Sequence, residues 1–195
     1  KPLKLKMLMK VKYDADGSYV KHKGRLVAQG FHQRAGRDFS LDNVFAPTVM
    51  FATVRTILAL AVTMGWDIRQ LDVGNAYCHS DMDYIVHAAM PPGLRVMYKG
   101  KDASTQGMCL RIRKGLYGTR QGGALWWKLL RGFLEEQGFT QSKADPCLYL
   151  RRKDGKLTIV CTYVDDRLST GADDNPSDDC CVHFESSAGA EWLRM

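Results

Sequence analysis

Three aspartates are the residues of this sequence whose type and spacing could do chemistry. Asp165 and Asp166 are adjacent in "TYVDDRLSTG", directly after an apolar run, and Asp72 lies near the end of "WDIRQLDV". Carboxylates this close repel each other, and each is costly to desolvate unless a cation compensates it. If the two segments are neighbouring strands of one sheet, Mg²⁺ is the natural occupant, because it prefers oxygen ligands. Two such ions about 3.5–4 Å apart would support in-line attack of a hydroxyl group on a phosphate.

The same residues also have an ordinary structural interpretation. Adjacent aspartates in a turn are most often solvated turn formers, and the residue types alone favour that interpretation. Arg167 follows the pair directly, and an ion pair with Asp165 or Asp166 would compete with a metal ion. The pattern by itself therefore leaves both a metal site and a solvated turn open.

The charge of the chain is unevenly distributed. Over 195 residues there are 28 lysines and arginines against 21 aspartates and glutamates, a net charge of +7. Residues 1–172 hold 27 of the basic and 15 of the acidic residues, a net charge of +12. A basic body favours polyanions, with nucleic acid the first candidate and an anionic membrane the second, while a charge that only aids solubility stays open. No apolar run approaches transmembrane length and the cysteines lack zinc-type spacing, so we expect a reduced, intracellular protein without a membrane partner.

Local patterns predict interleaved strands and helices. Lysine alternates with apolar residues over 4–13, which predicts a strand with one solvated, basic face, and the turn at 14–19 leads into a second strand. Helical spacing predicts a helix over 52–64, capped by Thr48 or Thr53 and ended by Gly65. A second helix is predicted over 121–137, and a hairpin is predicted to turn at Asp154-Gly155. Because the elements interleave without strict βαβ repetition, the predicted class is α+β with an antiparallel sheet.

Four segments of the chain, in this order, resemble the reverse transcriptases of copia-type retrotransposons. They are "KGRLVAQGFHQRAGRDFSLDNVFAPTV", "QLDVGNAYCHSDMDYIVHAAMPPGL", "LRIRKGLYGTRQGGALWWKLLRGFLEEQGFTQSKADPCLYL" and "YVDD". The Tyr-x-Asp-Asp turn alone would be a four-residue coincidence, but its combination with the longer segments is specific. The resemblance covers the chain from about residue 20 to residue 171.

The resemblance implies a right-hand polymerase architecture, with this chain as fingers and palm. The antiparallel palm sheet would pack on helices. Residues 1–50 would form a fingers-like basic hairpin region, and residues 51–171 a palm-like catalytic region with part of the fingers between its motifs. Residues 172–195 would be a divergent, acidic and poorly ordered tail. The thumb, ribonuclease H and integrase portions of a longer polyprotein would be missing.

The resemblance also implies roles for individual residues. Asp72 and Asp165 resemble the metal-binding carboxylates of the palm, with Asp166 as the third acidic member, and the ion would be Mg²⁺ or Mn²⁺. Tyr77 resembles the aromatic gate beneath the incoming sugar, although by itself it would be interpreted as a core aromatic residue. Trp126 and Trp127 lie at helical spacing from core leucines, which favours packing over base stacking.

Three more residues resemble the nucleotide-binding residues of the family. Lys23 and Arg25 resemble the fingers residues that hold the triphosphate, since charge-assisted contacts suit phosphate. Gln121 resembles the glutamine that contacts the incoming nucleotide near its sugar and base. Lys21 and the earlier lysines are better interpreted as a solvated strand face.

The implied function is RNA-directed DNA polymerisation, a nucleotidyltransferase reaction. Deoxynucleotides, supplied as deoxynucleoside triphosphates, would be added to a primer 3′-hydroxyl on an RNA template. The reaction would take place in cytoplasmic particles before the product reaches the nucleus. The alternative is a truncated, catalytically silent relic that folds and binds nucleic acid without polymerising. Arg167, which stands where the family usually carries Leu or Met, and Gly122-Gly123, which replace Ala-Pro, favour that alternative. An unrelated metal-dependent nuclease lacks a candidate base.

Overall fold

A computed structural model describes residues 1–91, 93, 97–102 and 107–172. The chain divides into two compact units. The first consists of Lys1–Phe45 and Ser80–Leu125, and the second of Ala46–His79 and the chain from Trp126 onward. Apart from Ala172, the predicted acidic tail lies outside the described residues.

The described elements are mostly strands. In chain order the strands are β1 (Leu5–Tyr13), β2 (Tyr19–Ala28), β3 (Ile68–Asp72), β4 (Asp81–Ala89), β5 (Met97–Tyr98), β6 (Lys101–Asp102), β7 (Cys109–Lys114), β8 (Thr140–Gln141), β9 (Leu148–Lys153), β10 (Lys156–Tyr163) and β11 (Asp166–Gly171). The α-helices are α1 (Phe51–Met64) and α2 (Gly122–Glu136). Short 3₁₀ helices cover Gly30–His32, Leu41–Asn43 and Ala76–His79. Within the described residues, no helix is long and apolar enough to cross a membrane.

The first unit contains the predicted N-terminal hairpin, in which β1 and β2 pair antiparallel. The prediction that only one face of this hairpin is solvated is wrong, because eight of the nine residues of β1 are exposed. Met9, on the apolar face, is 65% exposed. The physical reason is that only the base of the hairpin, at Leu5, Leu26 and Ala28, joins the core formed with β4 and β7.

Two glycines allow close backbone contact within the first unit. Gly30 donates its N–H to the carbonyl oxygen of Gly118 at 3.0 Å. A Cβ atom on Gly30 would lie 2.1 Å from that oxygen, and one on Gly118 would lie 2.2 Å from the carbonyl oxygen of Ala28. Since real Cβ atoms do not approach this closely, both positions require glycine.

The second unit is built on a five-stranded antiparallel sheet of order β3-β11-β10-β9-β8, so the predicted class and sheet type are confirmed. Successive residues of a strand face opposite sides of a sheet. Ile159 of β10 packs in one core with Ile57 of α1. Val160, the next residue, packs in a second core with Trp126 and Leu130 of α2. The two helices therefore cover opposite faces of the sheet.

The predicted helix and hairpin signals are confirmed, but the predicted cap of α1 is wrong. Gly65 ends α1 in the left-handed conformation, with φ of 68°. The N-cap is Met50, and no cap side chain bonds the first turn. Instead the carboxylate of Asp145 accepts the N–H of Met50 at 3.0 Å and the hydroxyl of Thr53 at 2.6 Å. A carboxylate more than 90 residues away in sequence thus holds the N-cap residue and the first turn of this helix in place.

Candidate active site

β3 and β11 are neighbouring strands, and their pairing brings the three candidate aspartates to one edge of the second unit. Asp72 is the direct Cα partner of Asp166. The N–H of Val73 donates to the carbonyl oxygen of Asp165 at 2.9 Å. Side chains of directly opposed residues lie on the same face of a sheet. The Asp72 and Asp166 carboxylates therefore share a face, with Asp165 in the adjoining turn.

The turn that carries Asp165 has a conformation unusual for its sequence. Tyr163 and Asp166 pair across a two-residue connection of Val164 and Asp165. Val164 has φ of 56°, and Asp165 is not among the residues with positive φ. A positive φ at the first central position alone is the pattern of a type II′ turn, which favours glycine there. A β-branched residue in this conformation costs about 1–3 kcal/mol, so the rest of the unit must hold the turn in place.

Trp126 of α2 supplies one such restraint. Its indole N–H donates to the carbonyl oxygen of Val164 at 2.6 Å, and the residue is 2% exposed. The predicted packing role of Trp126 is therefore confirmed. The hydrogen bond to the aspartate-bearing turn is a feature that the sequence did not reveal. The rule that a buried indole N–H needs an acceptor predicts a partner but does not identify it.

The carboxylates differ in exposure and in partners. Asp72 is exposed, whereas Asp165 and Asp166 are half-buried. The side-chain amide of Gln70, a residue not predicted to belong to the site, donates to Asp166 at 3.3 Å. No group of three or more His, Cys, Asp or Glu side chains within the described residues could hold a metal ion by itself. The donor chemistry nevertheless fits Mg²⁺, which is commonly bound by one or two carboxylates together with substrate phosphates.

Arg167 lies one position beyond the Asp72–Asp166 pair. Its Cα partners in the sheet are Thr162 and Leu71, and the residue is 4% exposed. Because successive side chains of a strand point to opposite faces, the side chains of Arg167 and Asp166 leave β11 on opposite sides. The Arg167 side chain, which replaces the Leu or Met expected from the resemblance, is thus buried in the second unit and does not lie on the face of the Asp72 carboxylate.

Tyr77 lies in the 3₁₀ helix Ala76–His79, close behind β3. It is half-buried and packs against the core beneath α2. Burial raises the pKa of the Tyr77 phenol, and the negative charge of Asp165 raises it further. The structure thus places the predicted gate residue where the charge of a predicted catalytic carboxylate acts on its phenol.

Lys23 and Arg25 lie on β2 in the first unit. The hairpin register pairs Lys23 with Lys10 and Arg25 with Leu8. Residues paired directly share a face, so one face of the hairpin collects six cationic side chains: Lys6, Lys10, Lys12, Lys21, Lys23 and Arg25. Like charges directly opposed across strands destabilise a sheet. This basic face is therefore suited to a polyanion, and it includes lysines that the sequence assigned only to solvent.

Gln121 lies in the first unit and is fully buried. Its side-chain oxygen accepts from the amide of Gln33 at 3.0 Å, and its own amide donates to the carbonyl oxygen of Asp38 at 2.9 Å and to the Asp83 carboxylate at 3.3 Å. Gln33 was not predicted from the sequence. The carboxamide of Gln121 is thus fully engaged within the protein, and its contact with a nucleotide stays a prediction.

The sequence profile of the reverse transcriptase (RNA-dependent DNA polymerase) family matches residues 1–186. The chain belongs to this family, and its relatives place it among the copia-type members. No solved structure matches the chain significantly.

The relatives are polyproteins of transposons. The chain is 36% identical over 174 residues to the retrovirus-related Pol polyprotein from transposon TNT 1-94 of Nicotiana tabacum, covering 89% of this chain and 12% of that protein. It is also 36% identical to the Pol polyprotein from transposon RE1 of Arabidopsis thaliana, over 83% of this chain and 10% of the relative. The Transposon Ty1-DR5 Gag-Pol polyprotein of Saccharomyces cerevisiae is 30% identical over 79% of this chain and 8% of the relative. The chain therefore spans only about a tenth of the length of these proteins.

Proposed function

We propose that this chain is an RNA-directed DNA polymerase domain that adds deoxynucleotides to a primer 3′-hydroxyl. The primer oxygen would attack the α-phosphate of a deoxynucleoside triphosphate, a new phosphodiester bond would form, and pyrophosphate would leave. The observation that carries the proposal is the pairing of β3 with β11, which sets Asp72 opposite Asp166 and beside the Asp165 turn. Carboxylates brought together at one edge of the sheet could hold the divalent ions that phosphoryl transfer uses.

In this proposal Asp72, Asp165 and Asp166 hold two Mg²⁺ ions, or Mn²⁺ in their place, together with substrate phosphates. The bound ions would supply the positive charge that activates the primer hydroxyl and neutralises the leaving pyrophosphate. The protein supplies position: strand pairing fixes Asp72 against Asp166, and the hydrogen bond from Trp126 fixes the turn. Gln70 orients the Asp166 carboxylate by donating to it.

The remaining proposed roles concern the nucleotide and the nucleic acid. Tyr77 would contact the incoming sugar and exclude a 2′-hydroxyl, as its position near Asp165 permits. Lys23 and Arg25 would hold the triphosphate. Gln121 would contact the nucleotide by exchanging one of its present hydrogen bonds within the protein. The basic face of the hairpin would bind the backbone of the RNA template or of the DNA primer, since such contacts need charge rather than sequence. The proposed cellular setting is a cytoplasmic particle and then the nucleus.

Primer extension on an RNA template with Mg²⁺ tests the proposal. We expect Asp165→Asn and Asp72→Asn each to lower the extension rate at least about 100-fold, because stabilisation worth several kcal/mol is lost with the metal ligand. Asp154→Asn is the matched control. Asp154 is an aspartate in the turn between β9 and β10 with φ of 51°, a conformation that asparagine tolerates. Equal rates for all four proteins would refute the assignment of the carboxylates.

The second candidate function is binding of nucleic acid without polymerisation. The buried Arg167 favours it, because a cation in the strand that carries Asp166 replaces an apolar residue of the family. If this candidate is correct, the wild-type chain binds primer–template without Mg²⁺ and extends nothing. Extension by Arg167→Leu alone would show that the buried arginine disables the carboxylate site from the opposite side of β11. Extension by the wild type that Asp165→Asn abolishes would exclude the second candidate.

A further inference from the structure

We propose that the first unit contains a second anion site, a cavity that binds phosphate groups independently of the three aspartates. The cavity has a volume of about 670 Å³. It lies between the loop at residues 32–38, the N-terminal residues and β4, and we call it the basic cavity. Its charged and titratable lining residues include Lys4, His32, Arg34, Arg37, Asp38 and His87. None of these residues belongs to the site proposed above.

The loop at residues 32–38 holds its arginines in a closed, hydrogen-bonded frame. The N–H of Asp38 donates to the carbonyl oxygen of Arg34 at 2.9 Å, and the N–H of Arg34 donates to the Asp38 carboxylate at 2.9 Å. Gly36, with φ of 76°, makes the reversal and donates to the carbonyl oxygen of Phe39 at 2.8 Å. Phe39 and Gln33 are buried and anchor the two ends. A ligand would therefore meet arginines whose backbone is already ordered, which lowers the entropic cost of binding.

The charge of the cavity remains positive after its internal ion pair is counted. The Arg37 guanidinium donates to both oxygens of Asp38, at 2.8 and 2.7 Å. This pairing with Arg37 holds the pKa of the Asp38 carboxyl below its usual value, against the opposing effect of burial. Asp38 is the only acidic residue in the lining, and neither Lys4 nor Arg34 forms an ion pair within the described residues. Lys4 and Arg34, together with Lys1 in the same lining, thus stay available for an anionic ligand.

The opposite wall is fixed by the backbone. The N–H of Leu3 donates to the carbonyl oxygen of His87 at 2.7 Å, and the carbonyl oxygen of Lys4 accepts the N–H of Gln29 at 2.9 Å. Leu3 and Val86 are buried beneath and give the cavity an apolar floor. A cationic rim over an apolar floor, in a volume typical of small-ligand sites, suits a group that carries phosphate beside less polar atoms.

The distribution of charge supports a polyanionic ligand. The first unit contains 17 basic and 7 acidic residues, a net charge of +10. Residues 46–79 and 126–172, which belong to the second unit, contain 10 basic and 8 acidic residues, a net charge of +2. Attraction of phosphate is thus concentrated in the unit that carries the cavity. The phosphates could come from consecutive phosphodiesters of a single nucleic acid strand or from a free nucleotide. Both sources share the chemistry that Arg34 and Lys4 recognise.

Binding without divalent metal tests the proposal, because the aspartate site cannot then contribute. The probes are a fluorescent single-stranded oligothymidylate, measured by anisotropy, and inorganic triphosphate, measured by calorimetry. The test variant is the double substitution Lys4→Ala and Arg34→Ala. The control with matched charge is Lys128→Ala with Lys143→Ala, two exposed lysines of the second unit. Circular dichroism establishes that both variants are folded.

We expect the test variant to bind at least one probe about 10-fold more weakly than the wild type, and the control to change by less than 2-fold. If a nucleic acid strand is the ligand, the test variant binds the oligonucleotide more weakly. The slope of its log affinity against log salt concentration then falls by the contribution of about two phosphate contacts. If a free nucleotide is the ligand, triphosphate binding falls and triphosphate displaces the oligonucleotide from the wild type. Equal losses in the test variant and the control would overturn the proposal, whatever the outcome of primer extension.

Discussion

The indole N–H of Trp126 donates to the carbonyl oxygen of Val164 at 2.6 Å, and this bond ties the core helix α2 to the turn between Tyr163 and Asp166. The turn is strained at Val164, where φ is 56°. A carbonyl held by a buried donor cannot rotate without losing that bond, so the position of Asp165 depends on a residue 39 positions earlier in the chain. Trp126 is therefore a positioning residue for the proposed site.

We expect Trp126→Phe to lower the free energy of unfolding by about 2–3 kcal/mol. The phenyl ring keeps part of the packing, but the carbonyl group of Val164 loses its donor and the smaller ring leaves space. Urea unfolding followed by circular dichroism measures this change. Trp127→Phe on the same helix is the matched control, since Trp127 is only half-buried. Equal losses in the two variants would contradict a special role for the bond to Val164.

Val164→Gly should make the second unit more stable by about 0.5–1 kcal/mol. Glycine removes the penalty for a left-handed residue, about 1–2 kcal/mol, and returns part of that gain as entropy of the unfolded chain. Val11→Gly, in an exposed part of β1, should instead destabilise by about 0.5–1 kcal/mol, because that valine has no strain to release. Thermal unfolding of the two variants distinguishes these signs. A loss of stability in both would argue against strain at Val164.

Substitution by alanine should change the stability of the protein in opposite directions at Gly118 and at Gly132. A methyl group on Gly118 would lie 2.2 Å from the carbonyl oxygen of Ala28, at φ of 88°. We expect Gly118→Ala to cost about 3 kcal/mol or more, from backbone strain and overlap together. Apart from the backbone of α2 itself, no atom lies within 4 Å of a Cβ atom on Gly132, so Gly132→Ala should stabilise by about 1 kcal/mol. Chemical denaturation of both variants measures these changes. An undiminished stability of Gly118→Ala would show that the close contact between Gly118 and the end of β2 is not needed.

The buried carboxylate of Asp145 should make stability depend on pH. Burial by itself would raise the pKa of Asp145, but hydrogen bonds from Thr53, Met50 and Cys147 outweigh it and hold the pKa below the usual value. A depressed pKa in the native state gives stability that is fully present above the unfolded pKa, about 3.9, and is lost as the pH falls through the native value. The contribution of Asp145 should therefore disappear only below about pH 4.

Thr53→Val tests this contribution, because it removes the 2.6 Å donor to Asp145. We expect a loss of about 1.5–3 kcal/mol at pH 7, as for hydrogen bonds to charged groups, and a smaller loss as the pH falls below about 4. Thr56→Val on the same helix is the control, since the Thr56 hydroxyl bonds only the carbonyl oxygen of Ala52 in its own helix. A difference between Thr53→Val and the wild type that stays constant from pH 7 to pH 3 would show that the Asp145 charge is not involved.

Local signals in the sequence were enough to predict much of the fold. Gly65 ends α1 and Asp154-Gly155 makes the predicted hairpin, because a left-handed residue is needed at each place and few residue types supply it. The neighbourhood of Asp72 and Asp166 was expected only on the condition that their segments are neighbouring strands, and the pairing of β3 with β11 meets that condition. The helix end and the hairpin depend on residues close together in the sequence.

The features that the sequence did not reveal join residues far apart in it. Asp145, beyond α2 in the sequence, bonds the N-cap residue Met50 of α1, Gln33 bonds Gln121, and Trp126 bonds Val164. Each is a polar contact chosen by the three-dimensional packing, and neither hydrophobic periodicity nor turn composition encodes such a pairing. The exposure of Met9 was missed for a related reason, because alternation shows that a strand has two faces but not whether anything covers the second one.

The hairpin of β1 and β2 has a dynamic consequence. Lys10 opposes Lys23 and Lys12 opposes Lys21, and both faces of this part of the hairpin are largely in water. Its outer pairs of residues are therefore held mainly by the backbone hydrogen bonds and by the contact of the Tyr19 hydroxyl with His22, against the repulsion of the lysines. The backbone amides there should be among the first to exchange with deuterium, and an anion laid along the lysines should slow them by removing the repulsion. Binding of a polyanion should therefore make the hairpin itself more rigid.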